Sequence, residues 1–129
     1  MATDLRTTEV EALLDVLARI DDKDILFALL EDMFTIREIR ESSQRLAVAG
    51  LLDKGCSYTQ IEKATGASAT TIARVSKCLG HGSGGYRAAL SVLRKLEGAE
   101  GDKAAAGAED AEERGDRTGQ KADLRALLL

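Results

Sequence analysis

An all-α fold of about six helices is what this sequence predicts, on three grounds. The 129 residues include no Pro, no Trp and only 3% aromatic side chains, so the apolar content is nearly all Leu, Ile, Val and Ala, a mixture that suits helices better than sheets. Apolar residues recur at spacings of three and four across residues 1–96, the repeat of one helical face. At the head of three such segments a Ser or Thr is followed three residues later by Glu or Gln, the signature of a capping box. The length suits one globular domain plus a tail and is short for two independent cores.

Thr8 with Glu11 opens the first helix, expected over Glu9 to Ile20 with Val10, Leu13, Leu14, Leu17 and Ile20 on one face. Asp21 and Asp22 place carboxylates at the positive end of a second helix, whose stripe is Ile25, Leu26, Leu29, Leu30 and Met33 and which ends near Phe34. Thr35 with Glu38 introduces the longest helix, carrying Ile36, Ile39, Leu46, Ala47, Ala49 and Leu51 before Gly55 stops it. Gly50 inside it either lets another helix approach closely or is merely tolerated. Ser57 with Gln60 begins a short fourth helix over Tyr58 to Thr65; Gly66 ends it, and Ser68 caps a fifth helix from Ala69 to about Leu79. Ile72, Val75 and Leu79 face inward on that fifth helix. Gly80 to Gly85 reads as a loop, and Tyr86 to Leu96 as a closing helix with Leu90, Leu93 and Leu96.

From Glu97 onward, large apolar residues are nearly absent until Leu124. Such a segment cannot bury enough surface to offset its ordering entropy, so a helical domain over residues 1–96 is expected to be followed by a disordered acidic tail over residues 97–129. The end from Leu124 to Leu129 suits either a docking peptide or ordinary tail sequence.

The net charge of -4 conceals a sharp division. Residues 1–36 hold three basic and nine acidic side chains, residues 37–95 ten and four, and residues 96–129 five and nine. A basic middle between acidic ends fits either a polyanionic partner or a mixed-charge surface that solvates the fold. No apolar run reaches the ~18 residues of a membrane span, and no basic-then-apolar leader opens the chain, so a soluble cytoplasmic protein is expected. Cys56 and Cys78 form no Cys-x-x-Cys pair, and Cys78 with His81 lacks the second pair of a metal site; two free thiols and no cofactor are expected. Catalysis needs clustered acids, bases or nucleophiles, whereas the single His81 sits in a Gly-rich loop with no carboxylate to orient it, so the chain does not read as an enzyme.

The span from Ser57 to Val75 has the parts of a helix-turn-helix. Gly66 can take the left-handed conformation that turns the chain sharply, while Ile61, Ile72 and Val75 pin the two helices at their crossing angle. The amino end of the second helix, with Ser68, Ala69, Thr70 and Thr71, would enter the major groove of double-stranded DNA. There hydroxyls can contact base edges, a methyl can meet a thymine methyl, and Ala69 and Ala73 leave room for close approach. Phosphate contacts are expected from Ser57, Tyr58, Thr59 and Gln60 at the head of the first helix, and from Lys63, Arg74 and Lys77. Two copies of the reading head would be needed to span one DNA turn, so a homodimer is expected. The alternative is a helical protein–protein interaction module without specific DNA binding.

From Phe34 to Leu90 the chain resembles the YerC/YecD branch of the Trp-repressor superfamily. The resemblance is carried by Thr35-Ile36-Arg37-Glu38-Ile39, Gln44-Arg45-Leu46, Leu51-Leu52, Gly66-Ala67-Ser68, Thr71-Ile72, Arg74-Val75 and Gly84-Gly85-Tyr86. It implies an all-helical, intertwined homodimer that binds operator DNA and represses transcription. It also implies a small-molecule corepressor clamped by two arginines. One of these falls on Arg74 and the other on Gln44, next to Arg45, so tryptophan would lose one charge partner. Arg45 and Arg74 are therefore the candidate contacts for an effector of unassigned identity; for Arg74, phosphate binding and support of the fold stand open as well.

Overall fold

The computed structural model describes residues 4–106, and among these the regular secondary structure is six α-helices joined by short turns, with a 3₁₀ assignment at Asp4 ahead of the first. They are α1 (Thr8–Arg19), α2 (Lys23–Met33), α3 (Ile36–Asp53), α4 (Tyr58–Thr65), α5 (Ala69–His81) and α6 (Gly85–Ala106). The connections are short because nearly every helix begins at a side-chain cap. Thr7 rather than Thr8 caps α1, its hydroxyl accepting the Val10 amide at 3.2 Å. Asp22 caps α2 by accepting the amides of Asp24 and Ile25. Thr35 and Glu38 exchange two hydrogen bonds at the head of α3: the Glu38 amide donates to Thr35 Oγ1 at 3.1 Å and the Thr35 amide to Glu38 Oε1 at 2.9 Å. That second bond holds the Glu38 carboxyl below its ordinary pKa, because it stabilises the charged form.

The described residues divide into two compact units, one ending at Glu41 and the other beginning at Ser42. The first holds α1, α2 and the start of α3. Neither α1 nor α2 buries a residue. Val10, Leu13, Leu17, Leu26, Leu29 and Leu30 are half-buried, whereas Leu14, Val16, Ile25, Phe27, Met33 and Phe34 are exposed.

The second unit contains the core. Val48, Ala49 and Leu51 of α3, Ile61 of α4, Ala67 of the turn, Ile72 and Val75 of α5 and Leu90 of α6 are buried together. Leu52, Cys56, Ala64, Leu79, Tyr86 and Leu93 pack around them. Gly50 is buried between Ala49 and Leu51 on α3. Two ion pairs tie α6 to the end of α3, with Arg87 and Arg94 binding the two oxygens of Asp53 at 2.9 and 2.7 Å. Helix α5 continues to His81, two residues past the expected end, and α6 continues through Gly98 to Ala106, ten residues past Leu96. The remainder of the predicted tail, residues 107–129 with the Leu-rich end, lies outside the described residues. No helix among the described residues is long and apolar enough to cross a membrane.

Candidate nucleic-acid interface

Helices α4 and α5 form the predicted helix-turn-helix, and local hydrogen bonds explain its shape. At the head of α4 the Ser57 hydroxyl accepts the Gln60 amide at 3.2 Å, and Gln60 Oε1 accepts the Ser57 amide at 2.8 Å. Both polar side chains are thereby committed to the helix, which leaves the amides of Tyr58 and Thr59 at its positive end without an intrahelical acceptor. Tyr58, Thr59, Gln60 and Lys63 are all exposed. At the other end Gly66 adopts φ 74°, in the left-handed region, and its amide closes α4 on the Glu62 carbonyl at 2.9 Å. Thr65 braces the turn twice: its hydroxyl donates to the Ile61 carbonyl at 2.7 Å and accepts the Ala67 amide at 3.1 Å.

Helix α5 then starts from Ser68, whose hydroxyl accepts the Thr71 amide at 3.2 Å and pairs with the Thr71 hydroxyl at 3.1 Å. Of the three hydroxyl residues expected at the groove, Ser68 and Thr71 are engaged with each other, and Thr70 is the exposed one whose hydroxyl is not used by the cap. Ala69, Ala73, Arg74 and Lys77 are exposed beside it. On the opposite face Ile72 and Val75 are 0% and 1% exposed. One short helix thus has a face locked into the core and a face of small and basic residues turned to solvent.

The ion pairs sort the basic residues of the middle segment. Arg87 and Arg94 are spent on Asp53, and Arg37 is paired with Glu41 at 2.8 Å, which raises its pKa. Lys63, Arg74 and Lys77 form no ion pair among the described residues, so their charge is available to a partner. Charge counting along the sequence could not make this distinction.

The predicted effector contacts are less concentrated. Arg45 is exposed and donates to the Ser42 hydroxyl at 3.1 Å. An open cavity of about 410 Å³ is lined by Leu46, Cys78, Gly82, Ser83, Gly84, Gly85, Tyr86 and Ala89, and neither Arg45 nor Arg74 stands in its wall. Gly82 shapes this loop for a reason of space: a Cβ there would collide with the backbone carbonyl of Cys78. Cys56 and Cys78 are both free thiols. Among the described residues no three His, Cys, Asp or Glu side chains come together to hold a metal ion.

Two features of this site were not legible in local sequence. Asp53, Arg87 and Arg94 meet across 34 and 41 residues of chain. Gln44, 21 residues before its partner, donates from Nε2 to the Thr65 carbonyl at 3.0 Å and so links α3 to the turn.

Comparison with known proteins places these features among relatives. The sequence profile described as Trp repressor protein matches residues 8–94. The uncharacterised protein YerC of Bacillus subtilis is 38% identical over 93 residues, covering 72% of this chain and 89% of that protein. A crystal structure from Staphylococcus aureus, presented as a candidate Trp repressor, superposes with a TM-score of 0.68 at 32% identity, over 71% of this chain and 92% of that one. A TrpR-like protein from Eubacterium eligens superposes with a TM-score of 0.67 at 37% identity, over 74% and 95% of the respective chains.

Proposed function

This chain belongs to the Trp repressor family, and on that premise we propose that it is a sequence-specific DNA-binding regulator that represses transcription as a homodimer. The observation that carries the reading is the two-faced α5. Ile72 and Val75 are buried, while Ala69, Thr70, Ala73 and Arg74 are exposed at and beyond its amino end. Inserted into the major groove, Thr70 offers a hydroxyl to a base edge, and the methyls of Ala69 and Ala73 permit close approach and contact with thymine. Ser68 and Thr71 support that approach by capping the helix. The head of α4, capped by Ser57 and Gln60 against each other, meets one phosphate through the outward amides of Tyr58 and Thr59, and Lys63, Arg74 and Lys77 meet others. Arg74 fits this role better than that of an effector ligand, being exposed and absent from the cavity wall. An effector of other chemistry would have to be sought elsewhere on the chain.

The homodimer rests on a separate observation. Helices α1 and α2 bury no residue fully, and they expose Leu14, Val16, Ile25, Phe27 and Met33. A second copy covering those side chains removes apolar surface from water at roughly 25 cal/mol per Å² and supplies the second reading head. Work on chromosomal DNA sets the protein in the cytoplasm, and the family is one of regulators rather than enzymes.

The test is titration of the purified full-length chain onto a duplex from upstream of its own gene and onto a scrambled duplex, at several salt concentrations, with sedimentation to give the mass. A dimer that prefers the native duplex is expected. The Lys63→Ala, Arg74→Ala and Lys77→Ala variants should each reduce the slope of log affinity against log salt by about one phosphate contact. Absence of binding to either duplex at low salt would replace this reading with a helical protein–protein interaction module.

A further inference from the structure

Resting on the DNA-binding reading above, we infer that Gln44 is the positioning residue of the reading head: its side-chain amide tethers the helix-turn-helix to α3 and holds α5 at the angle that reads DNA. The core grips α3 from Val48 to Leu51. Gln44 lies four residues upstream of Val48, about 6 Å along the helix axis. Apolar packing against α3 and against Leu90 of α6 is without direction and allows the α4–α5 pair to shift on it, whereas a directional second attachment to α3 one turn away fixes the angle. The Gln44 bond is that second attachment, with Nε2 donating at 3.0 Å to the carbonyl of Thr65.

The acceptor is well chosen for the task. Thr65 is the last residue of α4, where carbonyls lack intrahelical donors. Its hydroxyl already binds the Ile61 carbonyl and the Ala67 amide on either side of the bend. A pull on the Thr65 carbonyl is therefore transmitted to both helices of the motif. The approach does not depend on Gly66 lacking a side chain: a Cβ there would sit 3.9 Å from Gln44 Nε2, in ordinary contact. The bond is half-buried, so water competes for it less than at the surface.

Gln44→Met keeps the length and neutrality of the side chain and removes the donor, and Gln44→Ala repeats the test without the bulk of Met. Gln44→Lys restores a donor of similar reach. Residual dipolar couplings of the α5 amides, referred to those of α3, report the angle and its spread in the full chain. Wild type and Gln44→Lys should give one fixed orientation, and Gln44→Met and Gln44→Ala a loosened α5. On a duplex selected from a random library by the wild-type protein, Gln44→Met should lower the ratio of selected to scrambled affinity about fivefold, the effect of one hydrogen bond. Its affinity for scrambled DNA and its salt slope should stay unchanged, which simple loss of folded protein would not leave intact. An α5 held as firmly in Gln44→Met as in wild type would overturn the tether. A wild-type α5 that is firmly held but selects no sequence would instead overturn the DNA-reading function.

Discussion

Replacing Ile72 with Ala and, separately, Thr70 with Ala probes the two faces of α5 at positions two residues apart. Ile72 is fully buried against the cluster that includes Val48, Leu51, Ile61 and Val75. Truncation to Ala removes three carbon atoms, about 2.4 kcal/mol of transfer free energy at about 0.8 kcal/mol per carbon, and leaves a cavity that helices fixed at both ends collapse around only partly. The expected loss is about 3–4 kcal/mol, a large share of the ~5–15 kcal/mol that stabilises a typical domain. Thr70 is exposed and makes no part of the Ser68 cap, so Thr70→Ala should change stability by less than about 0.5 kcal/mol. Its cost belongs to recognition, where one lost polar contact to a base edge is worth about 1 kcal/mol, or about fivefold in the ratio of specific to scrambled affinity. Urea denaturation followed by circular dichroism gives the first quantity, with protein concentration held constant because dimerisation would contribute. Duplex titration gives the second. A cost under about 1 kcal/mol for Ile72→Ala would refute the burial of Ile72 in the core, and a loss at Thr70→Ala as large as at Ile72→Ala would refute an outward face of α5.

Three other substitutions or truncations separate the remaining forces. Gly66→Ala has room for its methyl but must hold φ 74°, so unfolding should become easier by about 1–2 kcal/mol, read from the urea midpoint. The lowered pKa of Glu38 means folding favours its carboxylate: this contribution is present above the ordinary value of 4.5 and is lost as pH falls through the depressed one. The Thr35 amide resonance should follow that titration in wild type and become insensitive to it in Glu38→Gln, where the amide oxygen still accepts; persistence of the titration would assign it to another group. Six of the nine acidic residues after Leu96 lie beyond Ala106. If they compete with DNA for the basic middle, deleting residues 107–129 should raise affinity at low salt and make no difference at high salt; equal affinities at low salt would exclude that competition.

Helix number, order and starting points were legible in the sequence because capping is local. Thr35 with Glu38, Ser57 with Gln60, and Ser68 with Thr71 each meet within three residues, so the pattern of letters is already the pattern of bonds. The turn at Gly66 belongs to the same class, since a left-handed residue after an amphipathic helix restricts the choice to glycine with little reference to the rest of the chain. The α1 cap moved by one residue, from Thr8 to Thr7, because two adjacent threonines offer nearly equivalent starts. The reach of α6 beyond Leu96 was missed because large apolar residues are nearly absent after Glu97, although a helix already nucleated can run on through residues that bury nothing, tolerating a glycine such as Gly98 at a cost of about 1 kcal/mol.

Burial and long-range pairing were decided by the tertiary structure. The apolar stripes of α1 and α5 are equally regular in sequence, yet α5 buries Ile72 and Val75 and α1 buries none. Periodicity states that a helix has a face to cover; what covers it depends on neighbours distant in the chain. The same distinction separates Arg74 from Arg87 and Arg94. All three contribute alike to the charge of the middle segment, but only the latter two meet Asp53, which approaches α6 when the helices pack. Gln44 is the sharpest instance, because its amide acquires a partner only once the end of α4 is folded against α3. Local composition determines which bonds a residue is able to make, and packing determines which of them it makes.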